Sequence, residues 1–370
     1  MISVFGSDLG DDEIQEVISS IKNQWVGLGP KVEEFESLLA KRLDVPDVAL
    51  VDSGSNALLL GTHLLDLPKG AEIILPSLTW VACAHAVTLA GYKPIFCDVD
   101  LESYNVTANL IEPHINSRTG AIMIVHYAGL PVDIKPILSF DYPIIEDAAH
   151  AIDSKINDKF CGTFGELGIF SFDPVKNLAT CDAGAIVGSK ELVGRAKKLR
   201  YCGIVKSGFH AAINGNVSRW WEHEIVEAFP RIIPNDISAS IGIAQLNRLP
   251  QLQERRRQIW QTYHDEFSSL NWIKLPLDAN AYLSHSYFTY LIRVPAKIRD
   301  QLAHFLYEAG VYTTLRYHPL HKTELYRTNY KLHNTEIIAN EGLNLPLHPR
   351  MTDMDIEKVI NLIKSFSTRL

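Results

Sequence analysis

The stretch "FSFDPVKNLATCDAGAIVGS", Phe170 to Ser189, decides the fold. It sets one lysine, Lys176, just beyond a strand-like apolar run and just before a turn of small residues, and a second β-type run, "GAIVGS", starts right behind it. A lysine is ordinarily a solvated surface cation. At the end of a strand in a helix-covered sheet, however, it stands where such sheets bind their ligands. The neighbouring segments decide between the two readings.

Outward from this stretch, short β-type runs alternate with segments of helical length. The runs are "EIILP", "KPIFCDVD", "AIMIVHYAG", "YPIIEDAAHA", "GIFSFD" and "GAIVGS"; Asn56 to Leu67 and Trp80 to Gly91 have helical spacing, and an amphipathic segment covers Asp11 to Lys22. The alternation predicts an α/β fold with a large, mainly parallel sheet. From Asn235 a long helical pattern, broken at Pro250, bridges to a second unit. Beyond it, "SYFTYLIRV", "IRDQLAHFLYEAG", "VYTTLRYHPLH" and the capped "TDMDIEKVINLIKSF" predict a smaller C-terminal α+β domain. The expected division is 1–245 for the large domain, with an irregular insert over 206–231, and 246–370 for the bridging helix and small domain.

With 370 residues, 46% of them hydrophobic, the chain can bury the cores of both units. Its formal charge is −8, and the one basic cluster, "QERRRQIW", is too short for a nucleic-acid footprint, so no nucleic-acid partner is expected. The five cysteines form no Cys-x-x-Cys pair, which argues against a disulfide framework and a zinc site and points to reduced thiols in the cytoplasm. The amino end, "MISVFGSDLGDDEIQEV", carries no signal pattern, and no apolar run reaches the ~18 residues of a membrane span.

Four features then fall at strand ends, in order. In "LVDSGSNALLLG", Gly54 and Ser55 precede a helix predicted to begin at about Asn56, whose free N–H groups can hold a phosphate or simply be capped. In "LPSLTWVACAHA", Trp80 opens a helix, either as a core residue or as a lid over a flat ligand. In "YPIIEDAAHA", Glu146 and Asp147 end an apolar strand, where a carboxylate needs a cationic partner, a protonated nitrogen or an N-cap role. The fourth is Lys176, which partial desolvation beside other cations would suit to form a Schiff base with an aldehyde. Phosphate cradle, stacking ring, acidic partner and lysine are the contacts that pyridoxal phosphate requires.

Over almost the whole chain the sequence resembles the DegT/DnrJ/EryC1/StrS family of sugar aminotransferases, fold type I enzymes of pyridoxal 5'-phosphate. The resemblance rests on "DSGSNAL", "LPSLTWVACAHAVTLAGYKPIFCDVD", "VHYAGLPVD", "IIEDAAHA", "GIFSFDPVKN", "NDISASIGIAQLNRL", "RYHPLH" and "LPLHPRMTDMDI". It implies that Lys176 bonds covalently to the cofactor, that Asp147 pairs with the pyridine nitrogen, that Trp80 stacks on the ring, and that Gly54, Ser55 and Ser171, with the neighbouring Asn56, hold the phosphate. It also implies glutamate as amino donor, a nucleotide-linked keto sugar as acceptor, and a homodimer with shared sites. A 4-keto-6-deoxyhexose is the expected acceptor; a 3-keto sugar, a nonhexose keto sugar acid and a non-enzymatic regulatory homologue are the alternatives.

The sequence also departs from its relatives. His150 stands where many have glutamine, and it either contacts the cofactor's 3-oxygen or packs. "CDAG" replaces a glycine-rich "GEGG" after the lysine. Arg231 replaces an asparagine that reaches the neighbouring subunit's cofactor phosphate, and is the stronger phosphate partner. Arg316 replaces a histidine and can meet the donor's carboxylate or a sugar-nucleotide phosphate; His318, in the same run, is also expected at the substrate and, with His321, has only weak metal-ligand spacing. Within the insert, Arg219, Trp220 and Trp221 are expected near the substrate or the dimer interface.

Overall fold

The computed structural model describes residues 1–206 and 223–369. Their main sheet has seven strands: β1 (Val48–Val51), β2 (Glu72–Pro76), β3 (Lys93–Cys97), β4 (Thr119–Val125), β5 (Ile144–Asp147), β6 (Leu167–Ser171) and β7 (Gly184–Gly188). The order across the sheet is β1-β7-β6-β5-β4-β2-β3. Strands β3, β2, β4, β5 and β6 run parallel, and β7 lies antiparallel between β6 and β1. β1 therefore points the same way as the parallel strands, and every carboxyl end but that of β7 reaches one edge. Buried on both faces, the strands can be near-continuously apolar, as "EIILP" is.

The helices follow from local signals. Helix α1 (Asp11–Lys22) begins with Asp11, Asp12 and Glu13 and ends on Lys22, matching charge to its dipole, and α2 (Pro30–Leu43) carries proline in its first turn. In α3 (Gly54–His63), the Ser53 hydroxyl accepts the Asn56 N–H at 3.2 Å, so the helix starts two residues earlier than the sequence suggests. Helix α4 (Val81–Leu89) follows Trp80, and α5 (Lys190–Leu199) is capped by Ser189.

Helix α6 (Asp236–Phe267) corrects one expectation: it runs for 32 residues straight through Pro250. A proline inside a helix removes one backbone hydrogen bond and crowds the preceding turn. Leu246, Leu249 and Leu252, buried on either side of it, hold the helix in place. The first half of α6 packs against α1 and α2 and shares the main core with β1, and its second half supplies Ile259, Trp260, Tyr263 and Phe267 to another core.

That second core belongs to a small lobe made of α7 (Ala296–Glu308), α9 (Asp353–Phe366) and the antiparallel pair β8 (Tyr290–Arg293) and β9 (Gly342–Leu345), while the intervening α8 (His333–Glu341) buries Ile338 in the main body. The chain's own beginning joins it, since the Ile2 N–H donates to Gly310 O at 2.8 Å and Tyr312 N–H to Ile2 O at 2.9 Å. The segment between residues 317 and 338 belongs to the main body instead. Leu320, Tyr326 and Leu332 pack in the core around β2, and Asp98, just after β3, accepts the N–H groups of Asn334 and Thr335 at the start of α8. The basic cluster near Arg255 is divided by the fold: Arg255 and Arg257 pair with Asp353 and Glu254, and Arg256 is buried.

Candidate active site

The strand ends and the small lobe enclose a cavity of about 470 Å³. Its floor comes from the sheet edge: Ser53, Gly54 and Ser55 after β1, Thr79 and Trp80 after β2, Asp147 ending β5 and Ser171 ending β6, with Asp173, Lys176 and Asp182 from the following loop. Its roof comes from Phe5 and from Tyr312 and Thr314 to Tyr317. A larger cleft, about 870 Å³, opens near Pro46 and Lys159 and contains none of the expected residues.

The "EDAA" motif places two carboxylates side by side, and strand alternation sends them to opposite faces. Glu146 is fully buried; its oxygens accept the N–H groups of Gly162 at 2.8 Å and Gly165 at 2.6 Å, and His126 Nε2 lies at 3.0 Å. Because the Val132 N–H donates into His126 Nδ1, the ring gives its one proton, on Nε2, to Glu146. This carboxylate is spent on holding loop 162–165. Asp147 faces the cavity with 5% of its surface accessible. Ala149 N–H donates to its Oδ1 at 3.0 Å and the Cys83 thiol to its Oδ2 at 3.1 Å, which leaves acceptor capacity on both oxygens.

Lys176 follows β6 in a turn closed by its own N–H on Asp173 O at 2.9 Å. Its Nζ lies 5.0 Å from the Phe288 ring centroid, and among the described residues it makes no ion pair. Burial first, and then the nearby Arg316 guanidinium, press the ammonium down to about 8, so a usable fraction is free amine near neutrality. Arg316 itself stacks on the roof, 3.6 Å from the Phe5 ring centroid, and donates to the Tyr317 hydroxyl at 3.1 Å. Tyr317 is then left to donate to His150 Nε2, also 3.1 Å away, which puts the imidazole proton on Nδ1. Burial, Lys176 and Arg316 all hold His150 well below its ordinary value, hence neutral, and its Nδ1 is buried without a partner among the described residues.

The glycine of the "SGS" turn is there for space: a Cβ on Gly54 would stand 2.6 Å from the Cβ and Oγ of Ser171. The two strand ends thus close into one cradle, beside the open N–H groups of α3. Trp80, 54% exposed, stands at the mouth 5.7 Å from the Tyr317 ring centroid. Burial, with Asp173 and Asp52 close by, raises Asp182 to about 6 on the same wall.

The fold therefore brings Gly54, Ser55, Trp80, Asp147, His150, Ser171, Lys176 and Arg316 to one cavity. Asn56 turns its amide to Asp52 Oδ1 at 2.7 Å instead. His318 is exposed and off the cavity wall, and His321 is buried against Ser77 Oγ at 2.7 Å. Arg231 is exposed near Tyr201, away from its own chain's cavity. Arg219, Trp220 and Trp221 lie outside the described residues. Sequence reasoning missed Phe5, Cys83, Tyr312 and Tyr317. Cys83 had a signal, four residues after Thr79 on the helix that Trp80 opens; Phe5 had none.

The DegT/DnrJ/EryC1/StrS aminotransferase family model matches residues 7–364. The chain belongs to this family. Among curated relatives, the dTDP-4-dehydro-2,3,6-trideoxy-D-glucose 4-aminotransferase of Saccharopolyspora spinosa is 37% identical over 97% of this chain and 95% of its own. Among solved structures, the aminotransferase TlmJ of Streptoalloteichus hindustanus superposes with a TM-score of 0.94 at 36% identity, covering 100% of this chain and 99% of its own. Spr1654 of Streptococcus pneumoniae in its PMP form gives 0.93 at 25% identity, with full coverage of both chains. As a DegT/DnrJ/EryC1/StrS protein the chain is an aminotransferase, and its α/β fold is that of the family's solved members.

Proposed function

We propose that the cavity holds pyridoxal 5'-phosphate and that the protein moves an amino group from glutamate to a nucleotide-linked 4-keto-6-deoxyhexose. The observation that carries this reading is the juxtaposition of an unpaired, desolvated Lys176 with a cavity-facing Asp147 and a cradle too tight for any side chain at Gly54. In this assignment Gly54, Ser55 and Ser171 hold the phosphate, Trp80 covers the ring, Asp147 keeps the ring nitrogen protonated, and Lys176 carries the cofactor. Bound there, the cofactor supplies an electron sink for the carbanion formed at the substrate carbon.

The protein's own groups do the rest. With the cofactor bound and Lys176 free, the lysine amine would be placed to carry the proton from the donor's α-carbon, and its pKa, held down to about 8 in the cavity, would leave it both basic and acidic enough near neutrality. Arg316, without a carboxylate partner among the described residues, is assigned to the donor's carboxylate. The same cavity receives sugar and donor in turn, which gives ping-pong kinetics. The dTDP-linked 4-dehydro sugar named for the Saccharopolyspora relative supports the choice of acceptor.

The reading extends to assembly and place. Arg231 is assigned to the cofactor phosphate of a second copy in a homodimer; its exposure, away from its own cavity, supports that role. Mixing Lys176→Ala and Arg231→Ala chains is expected to restore activity above either parent, and no recovery rejects the shared site. The compartment proposed is the cytoplasm, in keeping with five unpaired cysteines; among the described residues no helix is long and apolar enough to cross a membrane. The substrate is tested with glutamate and a panel of nucleotide-linked keto sugars, followed by amine formation. Amination of 4-keto sugars is expected, and a panel in which only 3-keto sugars react overturns the acceptor assignment.

A further inference from the structure

Cys83 stands in the first turn of α4, wholly buried and off the cavity wall, yet it touches the residue on which the site depends. Its Sγ lies 3.1 Å from Asp147 Oδ2 and 3.2 Å from Thr79 Oγ1. A carboxylate only accepts, so the thiol proton points at Oδ2. The sulfur lone pair is then free for the Thr79 hydroxyl, and the whole chain has one direction: Thr79 O–H to Cys83, Cys83 S–H to Asp147. Burial, with the charge of Asp147, pushes the thiol well up, which keeps the proton on sulfur.

We propose that Cys83 is a positioning residue for the transamination. Its thiol fixes Oδ2 of Asp147 as the Ala149 N–H fixes Oδ1, so the carboxylate plane is set and the remaining lone pairs face the cavity. A thiol is a weak donor. It orients the carboxylate while drawing off little of its negative charge, which is what a group that must keep a ring nitrogen protonated requires. The inference rests on the reading of Asp147 as that nitrogen's partner.

Two measurements test it. In cofactor-free protein, the Raman S–H band of Cys83, isolated as wild type minus Cys83→Ala, is expected below the position of a free thiol and to move up in Asp147→Asn; a band at the free-thiol position, or one that ignores Asp147→Asn, overturns the contact. In protein loaded with pyridoxal phosphate labelled with ¹⁵N in the ring, Cys83→Ala is expected to move the nitrogen signal part of the way toward the unprotonated position and to lower kcat about three- to tenfold, the worth of one modest hydrogen bond. Cys83→Ser, which keeps a donor, is expected to return most of both. A signal moved by Asp147→Asn but not by Cys83→Ala overturns this inference alone, whereas one moved by neither overturns the reading of Asp147. A serine variant no better than the alanine variant shows that Cys83 only fills space.

Discussion

The floor and the roof of the cavity are built differently. The floor is built on strand ends or the turns that directly follow them, and Asp147 and Ser171 inherit their positions from the pairing of β4, β5 and β6. Among the described residues the roof, residues 312 to 317 with Phe5, has no strand ladder: Thr314 forms an isolated bridge to Asn344, and the Tyr312 N–H donates to Ile2 O. Side chains hold it: Asn344 Oδ1 accepts the Arg316 N–H at 2.8 Å, the Tyr127 hydroxyl donates to Arg316 O, and just beyond it Ser77 Oγ accepts the His321 N–H at 3.1 Å, anchoring the chain where the roof rejoins the main body. A ladder tolerates no local slip, whereas a segment held by a few pins can be reshaped one pin at a time. The floor is thereby suited to fixed chemistry and the roof to changing substrates.

If that division holds, damage to the floor abolishes turnover and damage to the roof changes what is bound. The largest effect is expected for Lys176→Ala. It removes both covalent attachment and the proton carrier, so turnover falls beyond the roughly 10⁴-fold ceiling of acid–base catalysis alone, and borohydride no longer fixes the cofactor to the protein. Mass spectrometry of the reduced enzyme checks this, and full turnover in the variant would sink the assignment. Next comes Asp147→Asn, which is expected to keep the cofactor but lose about 10²-fold or more in kcat, the scale of a lost charge-stabilising group. Half the wild-type rate would show that the carboxylate only caps the turn through Ala149.

The roof variants are milder. Arg316→Gln is expected to raise KM for glutamate by roughly 10- to 100-fold, the worth of a charged hydrogen bond, with a smaller change in kcat. It also removes a positive charge that depresses Lys176. The free amine is the reactive form and its fraction rises with pH, so cofactor loading of the wild type should climb through about pH 8, and the midpoint should move upward in Arg316→Gln. An unmoved midpoint separates the two groups electrostatically. The smallest effect is expected for Ser77→Ala, which loosens the His321 pin. It should cost about 1–3 kcal/mol in stability for the buried groups left unpaired, read by urea denaturation, with kcat nearly intact; a large loss in kcat would show that the pin belongs to the floor.

The same difference explains how much the sequence disclosed. Floor residues announce themselves because a polar residue at the end of an apolar strand is costly unless it is used, as Asp147 and Lys176 show. Even there the strand pattern by itself left Glu146 and Asp147 equivalent, and only the family resemblance singled out Asp147, since the partners that absorb Glu146, at 126 and 162 to 165, come together only in the folded chain. Roof residues carry no such mark. Phe5 lies near a chain end with no periodicity around it, and Tyr317 reads as one aromatic among many. Pro250 misled in the opposite sense, because a local rule for breaking helices yielded to two cores that both need α6.

A helix shared by two cores also has a consequence for how the molecule comes apart. If either core melts, the other loses a wall, since Leu249 serves one and Tyr263 the other along the same continuous helix. Neither lobe can then unfold without costing the other part of its core, so heat or denaturant is expected to loosen the two together. In amide exchange, weakening either core is expected to speed the slow protons of the other as well. The roof can still breathe on its side-chain pins while the beam beneath it stays whole.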